Sequence, residues 1–230
     1  MQRTRIKICG LKDSASIDAA VFAGVDAVGL VFVAASPRAV DPERAAGLVS
    51  RLPAMVEPVG LFVDEPVEAV AGLIERVGLR TVQLHGREGP GYVRRLKAGR
   101  PGLKVIKALS FEADEVGPTL EVWRGEHQLV DALLWDAPPS GGLTGGTGHT
   151  LDWAALAALR DTGRLEGLPP MILAGGLTPE NVGDAVFRLR PYAVDVSSGV
   201  ESERGVKDSE KIAAFCAAVR AADSAEAGAG

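Results

Sequence analysis

This 230-residue chain has 30 acidic residues but only three histidines and two cysteines, and the groups that could carry proton transfer stand out by where they fall in the pattern of apolar runs. Cys9 follows Lys7-Ile8 and precedes Gly10, and Asp136 finishes the apolar run Ala132-Leu133-Leu134-Trp135. A cysteine beside a lysine is a candidate thiolate base, although a free cysteine packs most often as a small buried hydrophobe. A carboxylate at the end of an apolar run is costly unless it is paired, exposed or used. Asp136 is therefore a candidate acid, with capping of the loop after it as the alternative, and the two together would form an acid–base pair. Gly175-Gly176 and Ser197-Ser198-Gly199 are two loops whose backbone N–H groups can approach an anion such as a phosphate, where a simple tight turn is the alternative. Arg38 has the fork to hold a carboxylate, unless it is a solvated surface residue. Of three histidines, His85 in Gln83-Leu84-His85-Gly86 stands at the end of an apolar run, as does Asp195 before Val196-Ser197. Histidines and cysteines are scattered without metal-ligand spacing, so neither a metal nor an organic cofactor is expected.

The elements that must position these groups follow a regular rhythm. Short apolar runs at Arg5–Cys9, Ala27–Val33, Glu57–Val63, Arg80–Leu84, Leu103–Leu109, Ala132–Asp136, Met171–Ala174 and Tyr192–Val196 read as strands. Helical patterns follow them at Ser14–Ala23, Pro42–Leu52, Pro66–Val77, Pro90–Ala98, Glu112–Trp123, Asp152–Asp161, Pro179–Leu189 and Ser209–Ala222. Asp41-Pro42 and Thr178-Pro179 are helix-start signals. Eight βα units whose strands are apolar on both faces predict an α/β fold of the closed (β/α)8 TIM barrel kind, in a single domain over residues 1–222 with a frayed tail at 223–230. An open doubly wound sheet would more often carry Gly-x-Gly-x-x-Gly after the first strand, where this chain has Cys9-Gly10-Leu11-Lys12-Asp13. Barrels of this kind place their chemistry at the carboxyl ends of the strands. That filter retains Cys9, Arg38, His85, Lys107, Asp136, the loop Gly141–Gly148, Gly175-Gly176 and Asp195 to Gly199. The loops after strands seven and eight are the recurrent phosphate site of such barrels.

Composition bounds the partners. With 47% apolar residues, 28 glycines and two distant cysteines, the chain is neither disordered nor a disulfide scaffold, and it suits a reducing cytoplasmic compartment. A formal charge of −5 with both signs interspersed offers no basic stripe, so no nucleic acid is expected. The stretch from Ala19 to Ala35 is broken by Gly24 and Asp26, so no membrane span is expected either. A small phosphorylated molecule is the expected ligand, for a monomer or a homodimer.

Lys7-Ile8-Cys9-Gly10, Gln83-Leu84-His85-Gly86, Gly145-Gly146-Thr147-Gly148 with Asp152-Trp153, Ala174-Gly175-Gly176-Leu177-Thr178-Pro179-Glu180-Asn181, and Asp195-Val196-Ser197-Ser198-Gly199-Val200-Glu201 occur in that order. Together they resemble the phosphoribosylanthranilate isomerase family of tryptophan biosynthesis. The resemblance implies an aldose–ketose (Amadori) rearrangement of N-(5-phosphoribosyl)anthranilate, with Cys9 as general base and Asp136 as general acid. It implies Arg38 on the anthranilate carboxylate, the phosphate at Gly175, Gly176, Ser197 and Ser198, and His85 and Asp195 among the substrate-binding residues. The long loop from Ala137 to Thr150 would fold over the substrate. Two departures from the family pattern are Lys12, where threonine is usual, and Val33-Ala34-Ala35-Ser36-Pro37 before Arg38. Other sugar-phosphate barrels compete: the histidine-pathway isomerase is expected to carry aspartate in place of Cys9, and indole-glycerol-phosphate synthase would use a lysine such as Lys107. A phosphate-binding barrel without catalysis would leave Cys9 and Asp136 purely structural.

Overall fold

A computed structural model describes residues 3–112, 116–138 and 151–227. The expectations attached to the loop Gly141–Gly148 lie outside the described residues. The strands are β1 (Arg5–Cys9), β2 (Ala27–Val31), β3 (Glu57–Phe62), β4 (Thr81–Leu84), β5 (Lys104–Ser110), β6 (Ala132–Asp136), β7 (Met171–Leu173) and β8 (Ala193–Val196). Each pairs in parallel with the next, and β8 pairs with β1 to close the barrel. Between them run the helices α1 (Ser14–Phe22), α2 (Pro42–Val49), α3 (Val67–Val77), α4 (Pro90–Lys97), α5 (Val116–Gly125), α6 (Trp153–Asp161) and α7 (Val182–Leu189). After β8 come a two-stranded hairpin, β9 (Glu201–Glu203) and β10 (Val206–Lys207), and then α8 (Ser209–Ala227).

The strands are apolar on both faces because each face meets a separate core. Ile6, Ile8, Val28, Leu30, Val82, Leu84, Leu133 and Val194 point outward and pack under the helices. Val59, Ile106, Ala108, Ala132, Leu134, Ile172 and Ala193 form a second cluster inside the barrel. The alternation is the period-2 pleat of a strand, so neighbouring residues serve different cores. Helix starts follow the acidic residues: Asp13, Asp41 and Asp152 accept the N–H of Ser16, Arg44 and Ala155 at 2.8–2.9 Å.

Three features depart from the sequence reading. Helix α7 begins at Val182 rather than Pro179. The Asn181 side chain accepts the Thr178 N–H at 2.8 Å and donates to the Gly176 carbonyl at 2.9 Å, so these residues form a braced turn. The expected tail from residue 223 is instead helical to Ala227, because Asp223 accepts both the backbone N–H and the hydroxyl of Thr4, at 3.0 and 2.7 Å. The β9–β10 hairpin has no counterpart among the expected elements.

At the end of the barrel where the strands begin, two aspartates each precede one strand and hold the strand before it. Asp26 accepts the Ile6 N–H at 2.8 Å and pairs with Arg3. Asp131 accepts the Val105 N–H at 2.9 Å and the ammonium groups of Lys104 and Lys97 at 2.8 and 3.2 Å. Burial alone would raise the Asp131 carboxyl, but the Lys104, Val105 and Lys97 bonds outweigh it and hold it below its ordinary value. A carboxyl depressed by folding stabilises the fold above its unfolded value and loses that contribution as pH falls through the folded value. Asp131→Asn is therefore expected to lower the melting temperature by a few degrees at neutral pH, for a loss of about 1–2 kcal/mol in hydrogen bonds. The gap from wild type should close as pH falls below the ordinary 3.8. Calorimetry against pH checks this, and a gap that persists undiminished into acid contradicts it.

Candidate active site

The carboxyl ends of the strands open into a cavity of about 300 Å³. Nine of the residues singled out from the sequence reach its wall: Cys9, Arg38, His85, Asp136, Gly175, Gly176, Asp195, Ser197 and Ser198. Lys107 does not. It lies on the outward face of β5, where its ammonium donates to the carbonyls of Leu84 and Gly86 at 3.2 and 2.6 Å and pairs with Glu88 at 3.2 Å. A lysine so committed braces the end of β4 and is not a rim nucleophile or acid.

At the seam where β1 meets β8, Lys7 stands opposite Asp195, and their side chains pair at 2.7 Å with both buried. Cys9 is two residues further along β1 and shares the inward face with Lys7. Burial pushes the Cys9 thiol above its ordinary 9.0, and the Asp195 charge adds to that. The ammonium groups of Lys7 and Lys207 pull the other way without prevailing. Burial would also strip the proton from Lys7, but Asp195 and Cys9 overcome it and keep Lys7 a cation.

Asp136 faces the cavity from β6. Its Oδ1 accepts the Ala137 N–H at 2.9 Å, and its Oδ2 lies 3.2 Å from Nε2 of His85. The other ring nitrogen, Nδ1, is 2.8 Å from the Gln83 amide nitrogen. With that amide donating, the ring proton sits on Nε2 and faces Asp136. Gln83 is fully buried, and its Oε1 has no partner among the described residues.

The two glycine-bearing loops lie side by side at the mouth. Gly175 and Gly176 both take left-handed backbone, at φ 75° and 70°, which a residue with a Cβ adopts only with strain. Asn181 fixes this turn from below, as described. In the neighbouring loop the Ser197 hydroxyl donates to the Cys9 carbonyl at 3.1 Å, and Lys207 donates to the Ser197 carbonyl at 2.8 Å. Two loops that present backbone N–H groups beside a buried lysine suit an anion.

Arg38 is already engaged. Its Nε and Nη2 meet the two carboxylate oxygens of Glu201 at 2.7 and 2.9 Å. Lys12, one of the departures from the family pattern, donates to the Pro37 carbonyl at 3.1 Å and so supports the loop that carries Arg38. Glu201, Lys207 and Gln83 were not among the residues singled out. For Glu201 and Lys207 the one signal in the sequence was the glycine between them, Gly205, which the structure places in a turn at φ 82°. For Gln83 the only signal was an amide inside an otherwise apolar strand.

Among the described residues no group of histidine, cysteine, aspartate and glutamate is placed to hold a metal ion, and no helix is long and apolar enough to cross a membrane.

The charges around Cys9 set the direction of its titration. In a Cys216→Ser background, which removes the second thiol, Asp195→Asn should bring the Cys9 thiol down and Lys7→Met should push it further up. Thiolate absorbance in the ultraviolet, followed against pH, reads both, and an opposite movement in either variant would contradict the arrangement.

Comparison with known proteins accords with this geometry. A family model described as N-(5'phosphoribosyl)anthranilate (PRA) isomerase matches residues 6–218. A protein of that name from Dechloromonas aromatica is 46% identical over 224 residues, covering 96% of this chain and 98% of the relative. The crystal structure of phosphoribosyl anthranilate isomerase from Thermotoga maritima superposes with a TM-score of 0.81 at 35% identity, covering 95% of this chain and 99% of the other. Another such structure, in complex with reduced 1-(o-carboxyphenylamino)-1-deoxyribulose 5-phosphate, superposes with a TM-score of 0.79 at 34% identity over the same shares. With its barrel closed, its strand-end residues gathered at one mouth and its sequence matched nearly end to end, this chain belongs to the N-(5'-phosphoribosyl)anthranilate isomerase family.

Proposed function

We propose that this chain converts N-(5-phosphoribosyl)anthranilate to 1-(2-carboxyphenylamino)-1-deoxyribulose 5-phosphate by general acid–base catalysis, with Asp136 as acid and Cys9 as base. The observation that carries the reading is the presence of both groups in one cavity, on β6 and β1, with two anion-suited loops on β7 and β8 between them. The product analogue bound to the related enzyme has the same three parts: an anthranilate carboxylate, a sugar carbon chain and a phosphate.

Asp136 donates its proton to the furanose ring oxygen as the C1–O bond breaks, and the anthranilate nitrogen shares its lone pair to form a protonated Schiff base. Cys9 thiolate then removes the proton from C2, and the electrons of that C–H bond move toward the iminium to give an enolamine. The enolamine takes a proton at C1 and releases the one on the C2 hydroxyl, leaving the ketone. No atom is gained or lost, so neither an oxidant nor a cofactor enters the balance.

The burial that raises Cys9 bears on the protonation state that reacts. The reactive arrangement this mechanism needs has the proton on Asp136 and the negative charge on Cys9. Lys7 and Lys207 receive that charge, since each lowers the Cys9 value. His85, with its ring proton directed at Asp136, is suited to steady the carboxylate after the proton has left. Gly175, Gly176, Ser197 and Ser198 hold the phosphate through backbone N–H groups, and Asp195 holds Lys7 in place. Arg38 takes the anthranilate carboxylate on the edge of its guanidinium that Glu201 leaves over.

Positioned acids and bases contribute about 10²–10⁴-fold each. Cys9→Ser and Asp136→Asn are accordingly expected to lower kcat for phosphoribosylanthranilate by at least about 10²-fold, with folding retained. Turnover near the wild-type rate in either variant would overturn that residue's role.

A further inference from the structure

We propose that Glu201 is a positioning residue: it aims Arg38 at the carboxylate end of the substrate, while Lys207 restores the positive charge that Glu201 removes. This rests on the carboxylate role given to Arg38 above.

The three side chains form one buried cluster. Glu201 and Lys207 are almost wholly inaccessible, at 4% and 2%, and Arg38 is only 11% exposed. Oε1 of Glu201 accepts from Arg38 Nε and from Lys207 at 2.7 and 2.8 Å, and Oε2 accepts from Arg38 Nη2 and the Gly205 N–H at 2.9 and 3.0 Å. Burial opposes ionisation of Glu201, but the Arg38 and Lys207 contacts outweigh it and hold the carboxyl at about 2. The carboxylate is therefore charged at neutral pH.

Charge arithmetic shows why all three are needed. A buried Arg38–Glu201 pair alone is neutral and gives an incoming anion little reason to bind. Burial lowers the Lys207 ammonium, and the Glu201 carboxylate opposes that loss; as an ammonium, Lys207 gives the cluster one net positive charge. The pair supplies direction and the lysine supplies attraction. A guanidinium offers two usable edges. The Nε–Nη2 edge is committed to Glu201, so the direction of the remaining Nη1–Nη2 edge is fixed before any ligand arrives. Such pre-organisation reduces the entropy lost when the ligand binds.

The same cluster sets the distance from the clamp to the base. Gly10 directly follows Cys9 and has φ 81°, and a Cβ there would lie 2.6 Å from Cδ of Arg38. The arginine stem thus passes directly over the residue next to the base. On its other side, a Cβ on Gly205 of the hairpin turn would come within 2.7 Å of the Pro37 carbonyl, so the hairpin rests on the loop that carries Arg38. Lys207 reaches from Glu201 to the carbonyl and hydroxyl of Ser197, at 2.8 and 3.3 Å. The β9–β10 hairpin therefore connects the carboxylate clamp to the phosphate loop.

Two ligands test this with the full chain by titration calorimetry: reduced 1-(o-carboxyphenylamino)-1-deoxyribulose 5-phosphate, and the same molecule lacking the carboxyl group. Glu201→Gln is expected to weaken the carboxylated ligand about tenfold, the scale of a lost charge-assisted contact, and to leave the other within about twofold. Glu201→Asp keeps the charge and withdraws the fork, so it should show the same selective loss and serves if the glutamine variant does not fold. Equal weakening of both ligands, or tighter binding of the carboxylated one, would overturn the proposal, the latter by showing that Glu201 competes with the ligand for Arg38. Arg38→Ala is measured in parallel. If it weakens both ligands equally, the carboxylate role of Arg38 itself fails. If it is selective and the Glu201 variants are not, only the positioning role fails.

Discussion

The ion pair between Lys7 and Asp195 is the contact on which the catalytic mouth depends. It joins two residues 188 positions apart across the seam that closes the barrel. Two charges removed from water cost several kcal/mol each before their attraction is counted, so such a pair adds little to stability by itself. Losing either partner, by contrast, strands an uncompensated charge inside the barrel. The pair also fixes register. With Lys7 opposite Asp195, the next inward residues are Cys9 and Ser197, and the Ser197 hydroxyl donates to the Cys9 carbonyl. A slip of one residue in β1 would turn Lys7 and Cys9 toward the helices, away from Asp195 and Ser197.

Strand parity explains how two buried strand lysines on opposite sides of the barrel acquire different work. Lys7 and Lys107 are both strand residues and both buried. Lys7 lies on the inward face of β1 and meets Cys9 and Asp195. Lys107 lies on the outward face of β5 and is consumed by Glu88 and two carbonyls. Burial lowers Lys107 despite Glu88, whereas Asp195 and Cys9 keep Lys7 raised despite its burial. One position in sequence is the whole difference between a lysine in the catalytic field and one that fastens a loop.

Much of this was legible in the sequence because a parallel barrel is repetitive. The eight apolar runs are visible as runs because both faces are buried, and the rule that chemistry lies at strand ends then selects Cys9, Asp136, Arg38 and the two glycine-bearing loops. What escaped has physical reasons. Glu201 and Lys207 lie on strands of three and two residues, too short to show alternation. Helix α7 starts late because an Asn181 side chain competes with the proline start signal. Residues 223–227 look like a small polar tail, and their helix is secured by a bond from Asp223 to Thr4, 219 residues away. The direction of the Cys9 shift depends on burial against three opposing or reinforcing charges, a balance that no residue list contains.

The order in which the chain is made gives the β1–β8 seam a meaning in time. Lys7 leaves the ribosome early, and Asp195 follows 188 residues later, a lag of about 10–40 s at ordinary synthesis rates. Asp223, which anchors Thr4, comes later still. Throughout that interval the first strand has one edge unpaired, and Cys9 has neither the Lys7–Asp195 pair nor the serine that define its surroundings. A chain still lacking β8 therefore has neither the Lys7–Asp195 pair nor the Ser197 bond to Cys9: the surroundings of Cys9 are completed only with the closure of the barrel, in the last stretch of translation.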